Sequence, residues 1–416
     1  MLTGPLPVYA VAPFVAMLFA IAVCPLWIPH WWESNRNKLA LASALGLPVV
    51  GLYAARHPHA LLETAEDYVS FMLLLTALYV IAGGIHLTGD LPATPLVNTT
   101  FLATGSVLAS FLGTTGASML LIRPVLQTNR QRTRVTHTVV FFIFLVANVG
   151  GLLTPLGDPP LFLGYLEGVP FAWTFRLLPY WLFAVSVLLL AYFIWDSVAY
   201  GREPGLALAR DEAQRRPLRL TGALNFVWLG GVVVAVALLR APWREALILA
   251  LTGLSFWQTP REVHRANELT PQPIVEVAVL FFGIFLTMIP ALELLRTRGS
   301  ELGVREPWQF FWATGTLSSF LDNAPTYLTF LALGQGLHLA DEVVGVPHAI
   351  LAAISVGAVF MGANTYIGNA PNFMVKAIAE GVRVRMPSFF GYMAYSAGIL
   401  LPIFAALTWL FFSPRP

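Results

Sequence analysis

The chain has 416 residues, 57% of them hydrophobic and 11% charged, with a formal net charge of +2. Soluble domains carry about 25% charged residues, so this composition excludes a water-soluble fold, whose core would have almost no polar surface to cover it. The small net charge argues against a nucleic-acid partner, and the single Cys24 excludes an intramolecular disulfide, a CxxC redox pair and an iron–sulfur cluster.

Apolar runs of roughly 20 residues, enough to span a bilayer as a helix, recur along the whole chain. The first, 7–28, lacks a basic leading region and a clean cleavage site, and reads as a membrane helix rather than a removed signal peptide. Further spans are expected at 39–55, 67–88, 135–153 (continuing past an interruption to about 170), 173–196, 222–239 and 243–259. The remainder fall at 273–294, 347–363 (continuing to about 382) and 388–412, giving about ten in all. Two other apolar stretches, 96–128 and 308–338, are broken by Gly113-Thr114-Thr115-Gly116 and Asp322-Asn323-Ala324-Pro325. Each half is too short to cross, so both are expected to be re-entrant hairpins.

With that topology, the basic residues around Arg130 to Arg134, the linker arginines from Arg202 through Arg210 and Arg215 to Arg219, and Arg383 and Arg385 share one side. The acidic loops at 63–67 and Asp341-Glu342 lie on the other, with fewer arginines, among them Arg415. The positive-inside rule places the first side in the cytoplasm. The expectation is a multi-pass protein of the cell's inner (plasma) membrane with a periplasmic N-terminus. The linker at 197–220 needs no role beyond connecting the halves.

The sequence repeats itself. Ala103-Thr104-Gly105 followed by Ser110-Phe111-Leu112 recurs as Ala313-Thr314-Gly315 followed by Ser319-Phe320-Leu321. Thr154-Pro155-Leu156-Gly157-Asp158-Pro159-Pro160-Leu161-Phe162 recurs as Thr365-Tyr366-Ile367-Gly368-Asn369-Ala370-Pro371-Asn372-Phe373. The shifts, 103 to 313, 110 to 319 and 154 to 365, are 210, 209 and 211 residues, so order and spacing are both kept. The chain divides into N-terminal spans (1–66), a first repeat (67–196), a cytoplasmic linker with two connecting spans (197–272) and a second repeat (273–416). Each unit has three crossings and two spans intervene, so the units are inverted relative to each other. The expected fold is all-α and polytopic: an inverted-repeat transporter with two re-entrant hairpins and two interrupted helices.

The breaks are where chemistry is expected. Two prolines and a glycine in 154–162 forbid a continuous helix, and freed backbone groups at membrane depth must be buried in protein or used by a ligand. Asp158 inside this break marks a functional position, although an Asp there also suits helix capping; the matching Asn369 favours a site. The hairpin tips offer Thr114 and Thr115 in one half and Asp322, Asn323 and Thr326 in the other, oxygen donors that suit a hard cation such as Na⁺ but also satisfy turn backbone. Thr154 and Thr365 open the breaks; Asn148 and Asn364 precede them as amide ligands or supporting groups. Lys376 is either a titrating partner of an aspartate or a side chain snorkelling to the surface, and the second reading is favoured. Arg123 is read the same way. No Walker loop, zinc motif or nucleophile elbow is present, so neither an enzyme nor nucleotide-driven transport is expected, and no cofactor.

At these motifs, over roughly 67–412, the chain resembles the ion transporter superfamily, which groups NhaD-type sodium/proton antiporters, citrate–metal and dicarboxylate carriers and arsenite pumps. The wording from Asn148 to Phe162, from Ser319 to Thr326 and from Gly362 to Phe373 is most similar to a bacterial branch labelled sodium:proton antiporter or citrate transporter (CitMHS-like). The resemblance implies hairpin tips and interrupted helices that hold Na⁺ and substrate, one cluster per repeat. Dicarboxylate carriers read Ser-Asn-Thr at the tips, a pattern not kept here. Two intramembrane aspartates favour a cation that competes with protons. The leading expectation is therefore Na⁺/H⁺ antiport, with Na⁺ held at Asp322, Asn323, Asp158 and Asn369. The alternative is a Na⁺- or H⁺-coupled carrier of citrate or another small anion, and a channel or scaffold is disfavoured by the matched breaks. The expected partners are the lipid bilayer, Na⁺, H⁺ and, in the alternative, a small organic anion; a homodimer is left open. On the repeat alignment, Asp322→Asn should be more damaging than Asp158→Asn, which recreates the Gly-Asn pair of Gly368-Asn369. With Cys24 replaced, a cysteine at position 215 should label only from the cytoplasm and one at 341 only from outside; labelling of both from one face would overturn the inverted topology.

Overall fold

The computed structural model describes residues 6–205, 211, 216–339 and 342–413; Arg210, Arg215, Asp341 and Arg415 lie outside them. Among the described residues, eight helices are long and apolar enough to cross a membrane, and the protein is a polytopic membrane protein. The helices begin with α1 (Ala12–Trp27), α2 (Asn35–Arg56) and α3 (Pro58–Gly83). Then follow α4 (Pro95–Thr128), α5 (Thr136–Leu145), α6 (Pro159–Leu166) and α7 (Leu178–Tyr200). After the linker come α8 (Asn225–Leu238), α9 (Trp243–Gln258) and α10 (Gln272–Arg298). The second half continues with α11 (Pro307–Ser318), α12 (Asn323–Gln335), α13 (His348–Met361), α14 (Ala370–Gly381) and α15 (Phe389–Leu407). Two of the expected spans, α8 and the stretch His348–Asn364, are shorter apolar helices. The expected span at 243–259 is α9, an equally short helix that opens on Arg244 and Glu245.

The two broken stretches break where the sequence says. Within α4, Gly113 has φ 77° and ψ 150°, a conformation open to glycine but strained for any other residue. The chain doubles back there: a Cβ on Gly105 would meet Leu121 at 3.0 Å, whereas sixteen residues of straight helix would separate them by about 24 Å. In the second half α11 ends at Ser318, α12 starts at Asn323, and the two arms pack on each other. The expected interruptions after α5 and α13 are also present. Each runs through a short 3₁₀ turn into extended backbone at Thr154 or Thr365, and the helix resumes after Asp158 or Asn369.

The halves exchange contacts reciprocally. Arm α12 of the second half packs on α6 of the first, and α14 of the second packs on α4 of the first. The central stretch Thr136–Leu153 is 89% buried, against 17% for the first span, so the breaks sit at the core and the N-terminal helices at the periphery. Those outer helices are attached by Lys38 on Glu276, by Tyr53 donating to Glu293 at 2.5 Å and by Met17 and Ala42 against Gly283.

Two features depart from an all-helical reading with an inert linker. His86–Asp90 (β1) pairs antiparallel with Arg216–Thr221 (β2), so the end of the linker is stitched to the first half. Both segments are short and far apart in sequence, and pairing of that kind leaves no local periodicity to read. At the linker's start, Glu203 accepts from the Thr133 hydroxyl at 2.7 Å and the Arg134 amide at 2.9 Å. Burial pushes the Glu203 carboxyl up, but the bonds from Thr133 and Arg134 and the charge of Arg132 outweigh it and hold the group below its ordinary value. Beside it lies a buried charge network: Asp196 accepts from Arg132 at 2.7 Å, from His137 at 2.8 Å and from Asn98 at 3.2 Å. Arg132→Met would strand Asp196 without its charge partner, an expected loss of about 3–5 kcal/mol, read as a lower thermal midpoint in detergent. Adding Asp196→Leu should recover most of that loss; a double variant no better than the single would show that the pair is not the cause.

Candidate functional site

Asp158 is the point at which the four breaks converge. It is the extended residue immediately before α6, and 1% of it is exposed. Its Oδ1 accepts from Thr114 Oγ1 at 3.0 Å and from Asn369 Nδ2 at 3.1 Å, and its Oδ2 accepts from Asn323 Nδ2 at 2.6 Å. Thr114 follows the Gly113 kink, Asn323 opens α12, and Asn369 ends the second interruption. Each donor is thus supplied by a different discontinuity, two of them from the other half, and all three are neutral.

Around this carboxylate the amides close the seam. Asn369 also approaches Asn148 Oδ1 at 3.3 Å and the Ala147 carbonyl at 3.2 Å. Asn148 donates to Asn372 Oδ1 at 2.7 Å and to the Ile143 carbonyl at 2.8 Å. Asn372 donates in turn to the carbonyls of Gly362 and Thr365, both at 2.9 Å. Sequence reasoning passed over Asn372. Its signal is the departure from the repeat: the matching position of the first half is Leu161.

The two halves are braced internally by the same bonds. Thr154 donates to the Ser110 carbonyl, and Thr365 to the Ser319 carbonyl at 2.5 Å. Ser110 Oγ donates to the Gly150 carbonyl at 2.5 Å, and Ser319 Oγ to Met361 at 3.1 Å. The amides of Leu156 and Ile367 reach Thr154 and Thr365 Oγ1, each at 3.2 Å. A Cβ on Gly157 would lie 2.1 Å from the Gly151 carbonyl oxygen, and one on Gly368 2.5 Å from that of Gly362, so both breaks are crossings of bare backbone that only glycine permits. The hydroxyl protons of Thr154 and Thr365 are used inside their own halves.

The structure does not gather every expected site residue. Asp322 is half-buried and caps α12, accepting the Ala324 amide at 3.0 Å, while Thr326 donates to the Asp322 carbonyl at 2.9 Å. The carboxylate that sequence ranked first is therefore satisfied as a helix cap, beside Asn323 but outside the bonds to Asp158. Thr115 is half-buried and makes no hydrogen bond to the cluster among the described residues. Asn364 donates to Ser319 Oγ at 2.9 Å, within its own half. Lys376 pairs with Glu380 at 3.2 Å and lies over the rings of Tyr366 and Phe373. Arg123 pairs with Glu268 at 2.7 Å.

Chemically, a buried carboxylate ringed by hydroxyl and amide groups can hold a proton or a small hard cation. The same oxygens and amides present the halves to each other, so occupancy and the seam share one set of bonds. The geometry reverses the ranking drawn from the repeat. Asp158→Ala should remove the acceptor for three donors and abolish transport in reconstituted vesicles, and Asp158→Asn, which also removes the charge, should lower it more than Asp322→Asn does. Damage from Asp322→Asn equal to or greater than that from Asp158→Asn, in protein with unaltered thermal midpoints, would overturn this ranking. A family model described as "Putative citrate transport" matches residues 3–412, nearly the whole chain. No curated protein matches it.

Proposed function

The chain belongs to the family described as "Putative citrate transport", and from that premise we propose that it is a secondary carrier of a citrate-like anion, coupled to H⁺ or Na⁺ at Asp158. The observation that carries the coupling half of this reading is the convergence of Thr114, Asn323 and Asn369 on Asp158. A charged carboxylate buried away from water is costly unless its bonds and charge are compensated. A proton or cation at Asp158 supplies that compensation and relaxes the demand on the donors of the second half. Loading the site thereby loosens the grip between halves.

The architecture we infer is the inverted repeat expected from the sequence, with residues 67–196 and 273–416 as its units and the doubled-back segments as re-entrant hairpins. The duplicated bonds Thr154 to Ser110 and Thr365 to Ser319 support it. In such folds the substrate binds near the midplane, where half-helix N-termini face an anion; here those are α6 and α14. The arginine-bearing loops are assigned to the cytoplasm by the positive-inside rule.

Na⁺/H⁺ antiport is the second reading, favoured by one observation: Asp158 is a buried acid with no basic partner among the described residues, a group at which a proton and a small cation compete. Proteoliposomes separate the two. Labelled citrate should accumulate under an inward H⁺ or Na⁺ gradient and lose that drive in Asp158→Asn. Dissipation of a pH gradient by Na⁺ or Li⁺ without any organic anion, together with absent citrate uptake, would establish the antiport reading instead.

A further inference from the structure

The two segments that bring Thr114 and Asn369 to Asp158 meet again at their far ends. The return arm of α4 runs from Thr114 to Thr128 and α14 from Ala370 to Gly381, each about 20 Å long at 1.5 Å per residue, and they pack on each other. Where they finish, a cavity of about 700 Å³ opens between them, the 129–136 loop and residues 382–385. Among the described residues its lining includes Arg123, Arg130, Arg132, Arg383 and Arg385 and no carboxylate. Arg123 and Arg132 are committed to Glu268, Asp196 and Glu203. Arg383 and Arg385 are exposed and make no ion pair among the described residues. Arg383 also holds φ 68°, a left-handed position at the end of α14 where glycine is the easy residue. An arginine kept there places a guanidinium at the cavity mouth at some conformational cost.

A concave surface lined by one sign of charge concentrates oppositely charged solutes, and guanidinium groups recognise carboxylates through paired hydrogen bonds. We propose that this cavity is a staging site for the transported anion, a small multivalent carboxylate, on the face that bears Arg383 and Arg385. When transport starts from that face the anion is captured there before it moves along α4 and α14 to the Asp158 seam, and in uptake it leaves by the same site. This inference rests on the carrier reading above and adds to it a sided, electrostatic docking step.

The test is the double variant Arg383→Gln/Arg385→Gln, reconstituted in neutral phosphatidylcholine and assayed with labelled citrate from each face separately. The KM from the arginine-bearing face should rise about tenfold, with the opposite-face KM and the maximal rate unchanged. The wild-type KM on that face should rise with ionic strength, and the variant's should not. Equal KM values for wild type and variant on that face would overturn the proposal. So would a defect that appears only when phosphatidylglycerol is added, which would make the cavity a lipid-headgroup site. Should the wild type move no citrate, the carrier reading fails separately. Equilibrium binding of labelled citrate to the purified full chain then decides the cavity: binding lost in the double variant supports it, and absent or equal binding overturns it.

Discussion

A single buried carboxylate organises the centre of this molecule. Asp158 has no basic partner in its hydrogen-bond set, so its oxygens depend on Thr114, Asn323 and Asn369. Those groups arrive from three other places where a helix has been interrupted. In a medium without water, interrupted helices are tolerated only when their freed groups find protein partners. The four interruptions satisfy one another, and none of them would be stable alone in the same place.

The joints inside each half differ in kind from the joint between halves. Within a half, a threonine hydroxyl bonds a serine carbonyl and glycine backbone crosses glycine backbone, an arrangement that leaves no room for adjustment. At Asp158 the contacts between halves are side-chain amides and a carboxylate, which can rotate. Stiff units joined by an adjustable seam are what alternating access through rigid-body rocking requires. The β1–β2 pairing and the Glu203 clamp tie both described ends of the linker to the first half.

Much of the core was legible because apolar runs make exceptions conspicuous. Gly113, Pro155, Asp158 and Pro371 stand out against their surroundings, and each marks a real break. Depth was not legible. Asp158 and Asp322 look alike in one dimension, yet one is enclosed by donors and the other caps a helix at the edge of the cluster. Hydroxyl destinations were hidden for the same reason: Thr154 and Thr365 resemble ligands until their partners, carbonyls some forty residues upstream, are seen. The repeat pointed to matched breaks, which are present, but not to their partners. It aligned Asp158 with Asn369, which do hold the same place in their breaks; that the two meet as acceptor and donor could not be read from it.

The amide pair Asn148–Asn372 carries a consequence for how easily the seam parts. Asn372 keeps both of its donor hydrogens on carbonyls of its own half, at Gly362 and Thr365, and Asn148 keeps its bond to Ile143. Pulling the halves apart costs this pair one neutral hydrogen bond, about 1 kcal/mol, because each amide remains anchored where it stands. Asp158 has no such reserve: two of its three donors leave with the other half. Within the central cluster, the polar resistance to separation therefore falls more heavily on Asp158 than on the amide pair.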